Sequence, residues 1–226
     1  MIHYHGTPLT PREQLLRLAG RHFCVSFAEP RDADVCMQIG QSVLWDNGAF
    51  SLHTRGAGID EAALYRWLEP RLVHPHRAVV LDRIGGDVDE QRDMTGRWPL
   101  PRDLSWPVWH LDKTLDYLLE LADAWPGVCF GSAGAYWQIG TAKWEARMDA
   151  AFNHLAQRRS ILPWTHGLRM LGQAGQRWPL SSADSVNVAR NHNSARRDPK
   201  LMAEEIDGVQ TPPRWDVRPL QQELVA

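Results

Sequence analysis

Apolar positions along this chain follow two rhythms that take turns. The first is a short run rich in Val, Phe, Trp and Leu. His22 to Ala28, Val43 to Asp46, Ala78 to Asp82, Pro107 to His110, Val128 to Gly131, Gly167 to Leu171 and Ser182 to Val186 each read as a strand, with an extended Val35 to Ile39 ahead of the second. Ala78-Val79-Val80-Leu81 is apolar at every position, the pattern of a strand buried on both faces. The second rhythm is helical. Thr10-Pro11-Arg12-Glu13 has the form of a capping box with proline at the first helical position; Leu15, Leu16 and Leu18 follow, and Gly20 stops the helix. Asp60 precedes Ala63, Leu64, Trp67 and Leu68. Asp87 starts a polar helix after Gly85-Gly86. Asp112 precedes Leu115, Leu118, Leu119 and Ala122, and Pro126-Gly127 breaks that helix. Thr141 opens a long helix whose apolar stripe is Trp144, Met148, Ala151, Phe152 and Leu155, with Arg158 and Arg159 at its negative end.

Alternation of strand and helix with short connections predicts a parallel sheet with helices outside. About seven strand candidates and no glycine-rich dinucleotide fingerprint favour a compact α/β fold, a (β/α) TIM-like barrel. An open doubly wound sheet is the alternative. The chain has 226 residues, below the ~250 typical of a full barrel, so missing or irregular elements are expected. Residues 1–198 read as one catalytic domain, and 199–226 as a C-terminal tail with one short helix before a Pro-Pro turn.

Composition narrows the partners. Hydrophobic residues make up 43% and charged residues 23%, with a formal net charge of −2. That balance supports a sizeable core and excludes a protein that coats nucleic acid through bulk charge, while leaving room for a local basic patch. The sequence has neither a bilayer-length apolar run nor a signal-peptide pattern, so no membrane partner and a cytoplasmic location are expected. Cys24, Cys36 and Cys129 lack paired spacing, and His3-Tyr4-His5 and His74-Pro75-His76 lack a supporting cysteine or carboxylate. No metal and no cofactor are expected. Most of the 11 tryptophans read as core; Tyr136 and Trp137, beside a glycine turn, read as exceptions.

Three aspartates carry the candidate chemistry. Asp46, Asp82 and Asp184 each end a strand, and in a barrel those ends converge on one mouth. Plain structural roles exist for each: Asp46-Asn47-Gly48 is a turn signal, Asp82 can pair with Arg83, and Asp184 lies in a polar run with Ser181, Ser182, Ser185 and Asn187. Together, with aromatic and glycine neighbours, they favour function. Trp45 and Phe50 flank Asp46 and suit the wall of a flat-ligand site. Gly131-Ser132-Ala133-Gly134 leaves backbone N–H groups open to an acceptor. His110 ends a strand, either facing the mouth or satisfied in the core. Arg190 suits a phosphate.

These phrases, in this order, resemble the tRNA-guanine transglycosylase superfamily. Asp46-Asn47-Gly48-Ala49-Phe50-Ser51 is similar to the family's Asp-Ser-Gly-Gly-Phe-Gln segment, which carries the general acid/base aspartate. Asp82 falls where the family reads the purine's polar edge, and Gly131 to Gly134 resembles a loop that contacts the base. His166-Gly167-Leu168-Arg169-Met170-Leu171-Gly172 resembles the segment before the nucleophile strand, and Asp184 to Arg190 the phrase holding the nucleophile. The chain lacks the family's C-terminal Cys/His zinc site and is shorter, which makes it most like the compact branch, often borne by phages or mobile elements, that inserts 7-deazaguanines into DNA. The resemblance implies Asp184 as nucleophile and Asp46 as general acid/base. It implies Asp82, Phe50, Gly131, Ser132, Tyr136, His166, Arg190 and Arg196 as substrate-binding residues, with Arg197 as a further phosphate contact. The implied partners are DNA, with tRNA as the alternative polymer, and a 7-deazaguanine base such as 7-cyano-7-deazaguanine. A glycosidase or deoxyribosyltransferase acting on small nucleosides, and a non-catalytic purine-binding protein of the same fold, remain open.

Overall fold

The computed structural model describes residues 1–194 and 197–219. In chain order the elements are β1 (Ile2–Gly6), β2 (His22–Ser26), α1 (Ala33–Ile39), β3 (Ser42–Asp46), α2 (Ala49–Thr54), α3 (Glu61–Leu68), β4 (Arg77–Val79), α4 (Val88–Gly96), β5 (Ser105–Trp106), β6 (Val108–His110), α5 (Leu115–Ala124), β7 (Gly127–Gly131), α6 (Ala142–Arg158), β8 (Trp164–Gly167), β9 (Ser182–Ser185), α7 (Asn187–Asn191) and α8 (Pro199–Asp207). All strand pairs are parallel, in the order β5-β4-β3-β2-β1-β9-β8-β7-β6. The two ends of that order, β5 and β6, are separated only by Pro107. Counted as one stave, they reduce nine strands to eight and bring the sheet round on itself as a nearly closed (β/α) barrel.

Pro107 makes this closure possible. Proline has no N–H to give a neighbour, so the stave changes partner there. The Trp106 carbonyl accepts from Val80 N–H (2.9 Å) on one side, and the Pro107 carbonyl from Cys129 N–H (2.8 Å) on the other.

Side chains alternate across the wall. Tyr4, Cys24, Leu44, Val79, Trp106, Val108 and Cys129 fill the barrel interior. Phe23, Val25, Val43, Trp45, Trp109 and Phe130 face outward into the layer under the helices. Gly127 makes room inside: a Cβ there would lie 2.8 Å from the Trp106 indole nitrogen.

Several sequence expectations change. The missed strand is β1, which bridges β2 and β9; its two histidines obscured the period-2 pattern. Val35 to Ile39 belongs to helix α1, where buried Ala33 and Cys36 are one helical turn apart. Thr10 is not a cap. Pro11 is extended (ψ 155°), the following turn is 3₁₀, and the Thr10 hydroxyl accepts from Arg31 instead. Thr114, not Asp112, caps α5. The strand read at Gly167 to Leu171 ends at Gly167, because the chain turns sharply at Arg169. The caps read at Asp60, Asp87 and Thr141 are present, Asp87 with a reciprocal Glu90.

After Asp198, α8 packs over β1. Asp207 meets His5 Nε2 at 2.9 Å and pairs with Arg21. Trp215 is buried beside Phe152, its indole N–H donating to Asn153 (2.9 Å). Among the described residues no helix is long and apolar enough to cross a membrane.

Candidate active site at the barrel mouth

Parallel strands leave their C-terminal ends on one rim. Asp46 ends β3, His110 ends β6, Gly131 ends β7, and Asp184 is the third residue of four in β9. Asp82 follows β4 by three residues. A separate cavity of about 350 Å³ opens at the other end of the barrel, lined by Ile2, His22, Arg77, Trp106 and Trp164 among others. No candidate aspartate reaches it, and that end of such barrels serves stability.

Asp184 is held from two directions. The backbone N–H of Arg169 donates to Oδ1 at 2.7 Å, and His166 Nε2 lies 3.3 Å from the same oxygen. His166 is fully buried beneath the carboxylate, between Tyr4 and Trp106. It therefore supports Asp184 from below and has no exposed surface of its own. Its tautomer follows from its neighbours. The Trp164 indole can only donate, and it gives its N–H to Ser182 Oγ at 2.9 Å. An ionised carboxylate can only accept, so the ring turns an Nε2 N–H to Asp184 and its Nδ1 takes the proton of the Ser182 hydroxyl, 2.9 Å away.

Arg169 has φ +58°, the only non-glycine residue in the left-handed region among the described residues. That conformation aims its N–H at Asp184. Its guanidinium lies 3.7 Å above the centre of the half-exposed Phe50 ring. Backbone strain of this kind persists where the surroundings over-determine it, and it clusters at functional sites.

Asp46 sits in a different environment. It accepts from Gly48 N–H at 3.2 Å. Burial pushes its pKa up to about 6, and the nearby charges of Asp184 and Asp82 add to the rise. Gly48 has φ +76°, and a Cβ there would press to 2.8 Å from Ala28 N. The Asn-Gly turn signal and the candidate carboxylate are therefore one structure.

Asp82 does not pair with Arg83, which turns to Glu90 (3.7 Å). Its two oxygens take Asn47 Nδ2 and His110 Nε2, each at 2.8 Å. Asn47 also binds the Val80 carbonyl (2.8 Å) and accepts from Ala49 N–H (2.8 Å). This locks the Asp46 loop to β4. Asn47 and His110 are site residues that sequence reasoning did not place around Asp82. Their sequence signals were an Asn immediately after a strand-end aspartate and a His at the end of a strand.

Other expectations fall further out. Trp45 cannot wall a ligand: it is fully buried in the outer layer against Trp67 and His76, its indole donating to Arg71 O (3.0 Å). An inward Asp46 and an outward Trp45 are what strand alternation requires. Ser132 Oγ accepts from the Trp144 indole (2.9 Å) and so ties β7 to α6. Tyr136 is flanked by Lys143 and Arg147. Gly131 has no side chain where His110 needs room, a Cβ there lying 3.2 Å from its Nδ1. Arg190 is exposed on α7, without a carboxylate partner among the described residues. Arg197 pairs with Glu205. Arg196 lies outside the described residues. All three cysteines are buried and free, and no group of three potential metal ligands occurs among the described residues.

The arrangement can therefore present one fixed carboxylate and one proton-carrying carboxylate to a single small ligand. Comparison with known proteins gives no match, whether with family models, curated proteins or solved structures.

Proposed function

We propose that the protein is a base-exchange transglycosylase, replacing guanine in a polynucleotide, most simply DNA, with a 7-deazaguanine. The observation that carries this reading is the unequal pair at the mouth. Asp184 is fixed by two N–H groups, and Asp46 is poised near pH 6 to take and return a proton. Pairs of titratable groups in contrasting environments mark acid/base assignments.

In the first step an Asp184 oxygen attacks C1′, the glycosidic C–N bond breaks, and its electron pair goes to the departing base. Protonated Asp46 gives the base its proton. In the second step the incoming base transfers its ring N–H proton to ionised Asp46 and attacks C1′. The Asp184–C1′ bond breaks and the carboxylate is restored. The positive charge that develops on the sugar is stabilised by the neighbouring carboxylate. Asp82, reached through Asn47 and His110, faces the polar edge of the purine, and Phe50 offers the stacking face.

Incubation with labelled guanine or 7-cyano-7-deazaguanine, alongside DNA and tRNA in separate reactions, tests the reading. Label is expected in DNA, with an enzyme–DNA adduct visible by mass spectrometry after denaturation. Asp184→Ala is expected to abolish both while the protein stays folded. Full exchange by that variant, or label in neither polymer, would overturn the proposal.

A further inference from the structure

Three neighbouring staves of the barrel, β7, β8 and β9, send their following segments onto the same rim. Each of those segments carries a cation with no carboxylate partner among the described residues: Lys143 at the start of α6, Arg169 after β8, and Arg190 on α7. Elsewhere on the surface most cations are paired, as Arg17, Arg55, Arg92 and Arg97 show. The acids of this sector are already engaged. Asp112 holds Lys113, and Glu145 and Asp149 hold Arg177. Trp137 stands in the β7–α6 connection with 69% of its surface exposed. It is not on a loose loop: its N–H donates to Gly134 O (3.3 Å), Gly134 and Gly140 turn the chain at φ +54° and +82°, and the adjacent Tyr136 is packed against the core.

Three free cations along an arc, with an exposed indole at one end, match a flexible phosphate backbone that carries unpaired bases. We infer that the β7–β8–β9 rim is the track for a single-stranded DNA segment next to the target nucleotide. Lys143 and Arg190 neutralise phosphates, and Trp137 stacks on a neighbouring base. The occupant named here rests on the exchange reading above; the charge and the exposed indole do not.

The test is fluorescence anisotropy of the full chain with labelled single-stranded DNA, duplex DNA and single-stranded RNA across a salt series, alongside calorimetry with free 7-cyano-7-deazaguanine. Trp137→Ala is expected to weaken single-stranded DNA by roughly ten-fold or more, Trp137→Phe to recover most of that, and neither to change affinity for the free base. Lys143→Gln combined with Arg190→Gln is expected to flatten the slope of log K against log salt by about 1.4, from ~0.7 per phosphate contact on a single strand. Unchanged DNA binding in both the Trp137→Ala and the double variants would overturn the inference, as would no binding by the parent protein. RNA bound ten-fold more tightly than DNA would overturn the assigned occupant. If the variants lose DNA but no base is exchanged, the track stands and the exchange reading falls; if exchange proceeds equally in parent and variants, the reverse holds.

Discussion

A carboxylate whose pKa lies near 6 burdens the fold at neutral pH. Asp46 releases its proton near the ordinary carboxylate value in the unfolded chain and at about 6 in the folded one. The folded state therefore holds the proton more tightly between those values, and stability declines as pH rises through that window. Allowing for the partly open mouth, the penalty above pH 7 is about 2 kcal/mol. Asp46→Asn is expected to raise the urea midpoint at pH 7.5, to lose that gain below about pH 4, and to slow exchange severely. Equal stability at both pH values would mean that burial does not govern this group. A second residue-level expectation concerns Ser182. Ser182→Ala leaves the Trp164 N–H and His166 Nδ1 without partners, a loss of about 1–3 kcal/mol. It also frees the imidazole to change tautomer and withdraw the Nε2 proton from Asp184. Exchange should slow by roughly ten-fold while free-base affinity stays unchanged; a matching loss of base affinity would instead indicate general loosening.

At the scale of elements, the interior glycines of β7 decide how the barrel fills. Gly127 leaves space for the Trp106 indole and for Trp164 Cβ, with 3.0 Å or less available to an added methyl. Gly127→Ala is therefore expected to destabilise by about 1–3 kcal/mol through overpacking, measured by urea unfolding; a neutral outcome would show that the two tryptophans can slide. Much of this level was legible in the sequence. The stripe from Trp144 to Leu155 and the caps at Asp60, Asp87 and Thr141 each carry a local physical signal that tertiary structure had no reason to override, while the strand read at Ala78 to Asp82 is present only as far as Val79, so that Asp82 stands three residues beyond its end. What was not legible depends on partners distant in sequence. His3 and His5 look like polar interruptions until α8 supplies Asp207. The short α1 carries two buried positions and was indistinguishable from an extended run. At the site, the strand-end aspartates could be picked out. Arg169 could not, since nothing local announces a left-handed arginine or a backbone N–H directed at a residue fifteen positions on.

For the whole molecule, the eighth helix is late in the chain and covers the first strand. His3 and His5 are almost wholly buried, with the Asp207 carboxylate as their common neighbour, and buried polar groups are costly without partners. A chain ended at Asp198 is expected to lose its cooperative unfolding transition in calorimetry; retention of a sharp transition would show that β1 does not need this cover. The stave broken at Pro107 has a different consequence. The cylinder is joined there by a ladder of two residue pairs to β4 and three to β7, on either side of Pro107, where β2 and β3 share five. A ring of parallel strands opens at its thinnest stitch, and opening exposes amides to solvent isotope. The Val80 and Cys129 amides should therefore exchange deuterium sooner than those of β2 and β3. The aspartate three places beyond β4 and the histidine closing β6, 2.8 Å apart, would part along the same line, so breathing of the wall and the setting of Asp82 become one motion.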